Sequence, residues 1–299
     1  MGGVFPGPAG SCRNLPLPPS TPQRTVGTVR PMIKRLRKEP CGLTLIELLV
    51  AVAMLGLLLS LVLPAVCRAR AKATGAACLA NLKQLQLCWQ MYADDFHGAV
   101  PPNQSLLLNG VWRSAPDSWI GFSHAPRDPG PGLIQRGLFY RHGYNRAVAL
   151  YRCPADQSRV EAAGGRQPAR RRTRSYALNG NLGGRASEVQ VTVRRLDEIP
   201  EPGRLLAFVD EAEDSIDDAH FLVWPAPDTR WVNLPAGRHG QTGVLSFVDG
   251  HAERWRWRSP KRFTPRESYW RMVVSESDLR DLRALQSVTL SLAGFVPQP

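Results

Sequence analysis

The stretch Gly42-Leu43-Thr44-Leu45-Ile46-Glu47-Leu48-Leu49-Val50 decides the fold, because it opens an apolar run that continues to Val66. Residues 43–66 contain one charged side chain, that of Glu47. A helix of this length would be roughly 36 Å long, enough to cross the hydrocarbon core of a bilayer. The sequence therefore predicts a membrane-spanning helix over 43–66. A carboxylate inside such a helix costs about 2.5–3.5 kcal/mol on insertion scales, which makes Glu47 a functional candidate.

Residues 1–42 are predicted to be a leader. Residues 2–31 are rich in Gly, Pro, Ser and Thr without a hydrophobic period, and a basic stretch follows at 34–38. Met32 could be the true start, in which case 1–31 would be a mis-called extension. A secretory signal places its small-residue cleavage site after an apolar run of about 7–15 residues. Here the small residue Gly42 comes before the run, so we expect cleavage to leave the helix on the mature chain.

The nine residues quoted above resemble the prepilin-type cleavage and methylation motif of type IV pilins and type II secretion pseudopilins. The resemblance implies that prepilin peptidase cuts between Gly42 and Leu43 and methylates the new amine. It also implies that Glu47 neutralises the N-terminus of a neighbouring subunit during assembly. Leu43 departs from the Phe that is usual at this position. The alternative is an ordinary signal anchor in which the glutamate occurs by chance.

A helical period continues beyond the apolar run. Apolar side chains recur at spacings of 3, 3, 4 and 3 residues, at Leu79, Leu82, Leu85, Trp89 and Tyr92. This spacing places them on one face of a helix. We therefore predict one long helix from about 43 to 94, in which residues 67–97 form an amphipathic continuation packed on a globular domain.

The remaining chain, 98–299, is predicted to be a loop-rich α+β domain. Short alternating or apolar runs at 189–193, 205–209 and 221–224 are typical of strands, and 275–292 is weakly helical. Residues 244–248 and 251–257 flank Asp249-Gly250, which predicts a hairpin with a type I′ turn. The predicted fold is thus α+β and pilin-like, with a long N-terminal helix packed on an antiparallel sheet.

His239, nine further residues and then Asp249-Gly250 form a segment that we call the H-x9-DG segment. It is similar to a C-terminal motif in a large family of prepilin-type proteins, found especially in Planctomycetes and their relatives. Further segments agree with that family over most of residues 42–257, namely Cys78-Leu79-Ala80-Asn81-Leu82-Lys83-Gln84-Leu85, Tyr92-Ala93-Asp94-Asp95, Cys153-Pro154-Ala155-Asp156 and Ser175-Tyr176-Ala177-Leu178-Asn179. The resemblance implies pilin-like processing and little mechanism.

Two interpretations of His239 and Asp249 are open. The two side chains could share a metal ion or form a hydrogen-bonded pair that orients the hairpin. Alternatively, Asp249 and Gly250 serve the turn, and His239 bonds to the hairpin.

No cofactor is expected from the sequence, and a calcium ion is the alternative that stays open. The carboxylates of Asp210, Glu211, Asp214 and Asp217, with the neighbouring Glu213 and Asp218, could supply hard oxygen ligands. Their spacing matches no defined calcium loop, so a solvated acidic loop is favoured.

A disulfide is also predicted, because an oxidising exterior permits one. Cys153 would pair with Cys78 or with Cys88.

The formal net charge is +13, of which +6 lies in residues 1–42 and +7 in the rest. About half of the basicity is thus expected to be lost with the leader, so nucleic acid is not expected as a partner. A basic run at 166–174 could contact an anionic polymer, although a solvated loop is the preferred interpretation.

The predicted function is a pilin-like structural subunit and not an enzyme. It would span the inner membrane once, with its N-terminus cytoplasmic and its C-terminal domain periplasmic or on an extracellular filament. Its partners would be prepilin peptidase and other pilin-like subunits, in a homo- or hetero-oligomer. The main alternative is an anchored binding module, a minor pilin that contacts DNA or polysaccharide. A metal-dependent hydrolase that would use His239 and Asp249, with Ser246 as a further candidate, is less favoured.

Overall fold

The structure is a computed structural model, and it describes residues 44–121, 130–160, 169–184, 192–262 and 270–289. The predicted leader, the cleavage position between Gly42 and Leu43, and most of the predicted strand at 189–193 lie outside the described residues. The chain divides into two compact units, residues 1–54 and residues 55–299.

The helices are α1 (Leu45–Asp95), α2 (Gly132–Arg136), α3 (Leu138–Arg141) and α4 (Glu276–Gln286). The strands are β1 (Ser105–Leu108), β2 (Val111–Ser114), β3 (Arg159–Val160), β4 (Arg170–Arg171), β5 (Tyr176–Asn179), β6 (Leu206–Asp210), β7 (His220–Phe221), β8 (Arg230–Trp231), β9 (Thr242–Phe247), β10 (Ala252–Arg256) and β11 (Arg271–Met272). Three short 3₁₀ turns occupy Val148–Tyr151, Leu196–Glu198 and Pro202–Arg204.

Helix α1 confirms the predicted long helix and has 51 residues. Every residue from 45 to 73 is exposed, and an 18-residue window reaches a mean hydropathy of 2.7. By length and composition this part of α1 can cross a membrane. The buried face of α1 begins at Gly75 and includes Leu82, Leu85 and Trp89, so the second half of the helix packs on the sheet domain.

The domain is built on a five-stranded sheet with the strand order β10-β9-β6-β5-β7. Its pairs are antiparallel except for β5 with β7, so the predicted antiparallel sheet is mixed at one edge. Strand β6 lies in the middle and is buried along its whole length. Ala207 and Phe208 face the core that contains the second half of α1, while Leu206 and Val209 face a second core that contains α4. The fold is α+β.

The predicted hairpin forms between β9 and β10, but the predicted type I′ turn is wrong. Ser246 pairs with Ala252, and this register leaves three residues, 248–250, between the last bonded pair, Phe247 and His251. Gly250 has φ +99°, whereas Asp249 is not among the residues with positive φ. The loop has three residues because Phe247 pairs with His251, whereas a two-residue loop would need Val248 to pair with His251. One glycine, Gly250, takes the left-handed conformation that such a loop requires.

Candidate functional site

The N-terminal end of α1 carries a capping box. Thr44 is the residue before the helix, and its hydroxyl oxygen accepts from the backbone N–H of Glu47 at 3.2 Å. The Glu47 carboxylate accepts in return from the backbone N–H and the hydroxyl of Thr44, both at 2.9 Å. This reciprocal pattern satisfies otherwise unpaired donors at the start of a helix. Glu47 therefore has a local role in the single chain, and its second carboxylate oxygen can accept a further donor.

A second group of polar side chains is buried where α1 meets the sheet. Cys78, Cys153, Asp210 and His239 each place one potential ligand atom within 4.8 Å of the others. The sulfur of Cys153 is 3.2 Å from His239 Nε2, and the sulfur of Cys78 is 3.8 Å from Asp210 Oδ2. We call these four residues the thiol–imidazole cluster. The first three are fully buried and His239 is 6% exposed.

Four separate segments supply the thiol–imidazole cluster. Cys78 comes from the buried face of α1, and Asp210 ends β6, where it pairs with Tyr176 of β5. Cys153 follows the 3₁₀ turn Val148–Tyr151 and is held by a bond from its backbone N–H to the Ser175 hydroxyl at 2.8 Å. His239 lies in the turn that leads into β9. The cluster thus joins helix, sheet and two loops.

Neighbouring groups orient the cluster. The Tyr176 hydroxyl donates to the sulfur of Cys78 at 3.3 Å. The Arg238 guanidinium bonds to Asp210 Oδ1, which leaves Oδ2 on the cluster side. Arg238 also reaches Glu213 at 3.0 Å and Asp156 at 3.7 Å. Within the described part of the chain, Nδ1 of His239 is buried without a hydrogen-bond partner.

Burial sets the protonation of these groups. It raises the pKa of the Asp210 carboxyl to about 6, although the charge of Arg238 acts in the opposite direction. Burial also raises the pKa of the Cys78 thiol, with further contributions from Cys153 and Asp210. It lowers the pKa of His239, and the nearby charges of Arg254 and Arg238 lower that pKa further. The imidazole is therefore neutral at pH 7, the form that binds metal ions.

The two ends of the H-x9-DG segment have different partners. His239 lies beside Cys153, whereas the Asp249 carboxylate accepts from the ring Nδ1 of His251 at 2.6 Å and from its backbone N–H at 3.0 Å. The hydroxyl of Ser246 accepts from the backbone N–H of Phe208. The structure thus does not assemble His239, Asp249 and Ser246 into a hydrolase triad.

Both ends of the H-x9-DG segment nevertheless approach helix α1. The backbone at Gly75 lies so close to the imidazole that a Cβ there would be 3.6 Å from His239 Cγ. At the other end, the side-chain amides of Gln86 and Gln90 donate to the Val248 carbonyl at 3.2 and 3.3 Å. The segment therefore fixes the β9–β10 hairpin along about four turns of the helix.

Two consecutive residues of the predicted calcium set have different partners. Asp210 ends β6 and belongs to the thiol–imidazole cluster, whereas Glu211 follows the strand and does not. Glu211 accepts from Ser215 at 2.9 Å and from Asn233 at 2.8 Å. Burial, followed by the charge of Asp217, raises the pKa of Glu211 to about 8. Among the described residues, no three carboxylates of the acidic set lie close enough together to hold one metal ion. Calcium binding therefore stays a prediction.

The four cysteines among the described residues are free thiols. Cys78 and Cys153 lie together, whereas Cys88 is buried elsewhere on α1 and Cys67 is exposed. The predicted disulfide stays a prediction, and the pair that geometry favours is Cys78 with Cys153.

The basic run is only partly a solvated loop. Residues 166–168 lie outside the described residues, and Arg170 and Arg171 are exposed on β4. Arg172 and Arg174 are each 5% exposed. Arg174 donates to the backbone carbonyl of Tyr176 at 2.8 Å, so this cation stabilises the domain interior.

A cavity of about 210 Å³ lies near one sheet edge, and its wall includes three tryptophans, Trp112, Trp224 and Trp270. Asp217, Asp218 and Asn233 supply polar atoms to the same wall. Aromatic faces with a few convergent polar groups are typical of small-molecule sites.

Comparison with known families identifies the motif at the start of the apolar run. A family model of the prokaryotic N-terminal methylation motif matches residues 37–63. This is a prepilin-type N-terminus. The match covers the end of the basic stretch, Gly42, Glu47 and most of the apolar run, and it supports a prepilin-type pilin or pseudopilin. No curated protein and no solved structure matches the chain.

The H-x9-DG resemblance is not confirmed by these comparisons. The thiol–imidazole cluster was not predicted as a unit, because its members are separated by 75, 57 and 29 residues and form no short spacing motif. The sequence held partial signals: a possible pairing of Cys153 with Cys78, and His239 and Asp210 as candidate ligands of two separate metal sites.

Proposed function

We propose that the protein is a pilin-like or pseudopilin structural subunit that prepilin peptidase processes and that assembles with other such subunits into a filament. The observation that carries the proposal is the methylation motif at 37–63, which overlaps the start of a helix of 51 residues. A type II secretion system and a type IV pilus are both compatible with this architecture.

The apolar surface of α1 supports both anchoring and assembly. Large hydrophobic side chains from Leu45 to Val66 are exposed to between 46% and 77% of their surface. A soluble protein rarely exposes an apolar surface of this extent. Lipid would cover it before assembly, and the helices of neighbouring subunits would cover it afterwards.

The charges around α1 support an orientation. The basic residues at 34–38 precede the apolar run, and positively charged flanks favour the cytoplasmic side. The chain would therefore cross the inner membrane once, with the sheet domain periplasmic or on the filament surface. A structural role follows from this placement, with no catalytic step assigned.

The proposal is tested by expressing the chain with and without an active prepilin peptidase and measuring the intact mass of the membrane-bound product. The expected product begins at Leu43 and carries one N-terminal methyl group. A Gly42→Val variant should retain the leader, while a Cys41→Ala control should be processed normally. Retention of the leader by the unsubstituted chain, with the peptidase active on a known substrate, would contradict the proposal.

The tryptophan-lined cavity favours a second candidate function, binding of a polysaccharide by an anchored minor pilin. Aromatic rings stack on the apolar faces of sugars, and the carboxylate and amide oxygens of Asp217 and Asn233 can accept bonds from sugar hydroxyls. Retention on immobilised polysaccharides should fall on Trp270→Ala and persist on Trp255→Ala, a tryptophan outside this cavity. Equal retention of both variants would remove this candidate.

A further inference from the structure

We propose that Cys78, Cys153, Asp210 and His239 bind one structural Zn²⁺ ion that fastens helix α1 to the sheet domain. This inference does not depend on the proposed function, because it rests on the four side chains and their surroundings within residues 55–299.

The donor set fits zinc. Two sulfurs, one imidazole nitrogen and one carboxylate oxygen are all zinc ligands, and thiolates disfavour calcium and magnesium. In a tetrahedral zinc site, bond lengths of about 2.0–2.3 Å place ligand atoms about 3.3–3.8 Å apart. The Cys153 sulfur is 3.2 Å from His239 Nε2, and the Cys78 sulfur is 3.8 Å from Asp210 Oδ2. These two distances match zinc ligation, and all four ligand atoms lie within 4.8 Å of one another, so a small contraction would close the set around one ion.

Burial identifies the site as structural. The cluster supplies four protein ligands, the number that a closed tetrahedral zinc site needs, and none of their side chains lies on the open surface. A catalytic zinc site keeps a position for water or substrate, whereas a structural site is closed by protein ligands. The cluster has the closed form.

Surrounding groups support two of the four ligands, Asp210 and Cys78, in the way known for metal sites. Arg238 binds Asp210 Oδ1 and so directs Oδ2 towards the cluster, and the Tyr176 hydroxyl donates to the Cys78 sulfur. Such outer contacts orient the ligands and stabilise the charge on them. Two thiolates and one carboxylate carry three negative charges, of which Zn²⁺ would balance two, and Arg238, which Asp210 shares with Asp156 and Glu213, lies beside the third.

A zinc ion at this site would connect four segments that are distant in the sequence. Zinc at this site would cross-link α1, the loop after Tyr151, the end of β6 and the turn before β9. A metal that joins distant segments contributes its binding free energy to folding. If residues 43–66 of α1 are the membrane anchor, a pulling force on the helix would reach the sheet domain through the part of α1 that contains Cys78. The ion would lie at that attachment.

The main competing occupant of the space is a Cys78–Cys153 disulfide, which would consume both sulfur ligands. The two states are distinguishable, because zinc leaves both thiols reduced and available for alkylation after denaturation with a chelator. A disulfide leaves both thiols protected until a reductant is added.

The test uses the full chain in detergent, purified by a tag without histidine and analysed for metal by mass spectrometry. We expect one equivalent of zinc that is lost on Cys153→Ala and on His239→Ala. The matched controls Cys67→Ser and His251→Gln, which change an exposed thiol and an exposed imidazole outside the cluster, should keep it. Replacement of zinc by Co²⁺ should give the visible bands of a tetrahedral, thiolate-bound ion.

The Co²⁺ spectrum also keeps the test decisive if the ligand variants fail to fold, since it is measured on the unsubstituted chain. Three results would overturn the proposal: no bound zinc after growth with added zinc, a Co²⁺ spectrum without thiolate bands, or a disulfide-linked peptide containing Cys78 and Cys153.

Discussion

The hydroxyl of Tyr176 donates a hydrogen bond to the sulfur of Cys78 across 3.3 Å. Tyr176 belongs to β5 and Cys78 to α1, so the bond joins the sheet to the helix within the buried interface. Burial raises the pKa of the Tyr176 phenol, and the group is therefore a donor throughout the physiological range. This contact would stabilise negative charge on the sulfur once a metal ion is bound.

Removal of that donor should weaken zinc binding without removing a ligand. Tyr176→Phe is expected to lower zinc affinity by about 10–100-fold, because outer contacts to metal ligands have effects of this size. Competition with a chromophoric chelator measures the change. Tyr144→Phe is the matched control, since its hydroxyl bonds to Asp95 at 2.6 Å away from the cluster. Equal affinities for the two variants would show that the Tyr176 bond does not support a thiolate.

The second prediction concerns the close approach of α1 to His239. A Cβ at Gly75 would lie 3.5 Å from the Arg254 guanidinium carbon and 3.6 Å from His239 Cγ, which is ordinary van der Waals contact. Gly75→Ala should therefore raise stability by about 0.5–1 kcal/mol, because alanine is the better helix former. Gly75→Ile should lower both stability and zinc content, because its longer branches meet the imidazole. Thermal unfolding checks both changes, and a less stable alanine variant would contradict the geometry.

The third prediction concerns a buried cluster of charges formed by Lys261 and two aspartates of α4. Lys261 Nζ lies 2.9 Å from Asp278 Oδ1 and 2.7 Å from Asp281 Oδ2, and these side chains are almost fully buried. Lys261→Met removes the cation that lies between the two carboxylates, while Asp278 keeps Arg271 at 2.9 Å and Asp281 keeps Arg258 at 3.8 Å. The expected cost is therefore about 3 kcal/mol, the lower end of the range for a broken buried ion pair, measured by chemical denaturation. A substitution at the exposed pair of Arg195 and Asp197, such as Asp197→Asn, should change stability by less than about 1 kcal/mol.

The contact between Lys261 and Asp278 also predicts how the stability of the domain changes with pH. Burial alone would raise the pKa of Asp278, but the hydrogen bond and charge of Lys261 outweigh it, and the pKa lies below 3.8. A depressed pKa contributes stability that is fully present above the unfolded value and is lost as pH falls through the folded value. The stability advantage of the unsubstituted chain over Asp278→Asn should thus be constant from about pH 5 to 7 and shrink below about pH 4. An advantage that grows in acid would refute the assignment.

Periodicity predicted the elements whose contacts are local. The stripe from Leu79 to Tyr92 was sufficient to place the second half of α1 on the core, and a Gly next to Asp249 was sufficient to place the hairpin. The turn type was wrong because it depends on the register of Ser246 and Ala252, which is set by packing. The burial of Gln86 was not evident either, since its partner Val248 is 162 residues away.

The candidate sites show that local motifs are predictable from the sequence, whereas clusters of distant residues are not. Gly42 and Glu47 form a motif with fixed spacing, so the sequence alone indicated the prepilin-type N-terminus. The thiol–imidazole cluster depends on the order β10-β9-β6-β5-β7, which brings the end of β6 beside the turn before β9. No residue pattern encodes that strand order locally. Likewise, the different partners of Asp210 and Glu211 depend on the end of β6 at Asp210 and on the distant residues packed there, such as Asn233 beside Glu211.

The last prediction separates the two roles of Glu47. Glu47→Ala removes both the capping contact and the charge, whereas Glu47→Gln keeps a side chain that can complete the capping box. Thr44→Ala removes the cap at a cost of about 0.5–2 kcal/mol and keeps the charge. If Glu47 pairs with the amine of a neighbouring Leu43, both Glu47 variants should be processed normally yet reach the sheared filament fraction poorly. Thr44→Ala should then assemble nearly as well as the unsubstituted chain. Normal incorporation of Glu47→Gln, together with a defect in Thr44→Ala, would instead assign Glu47 to its own helix.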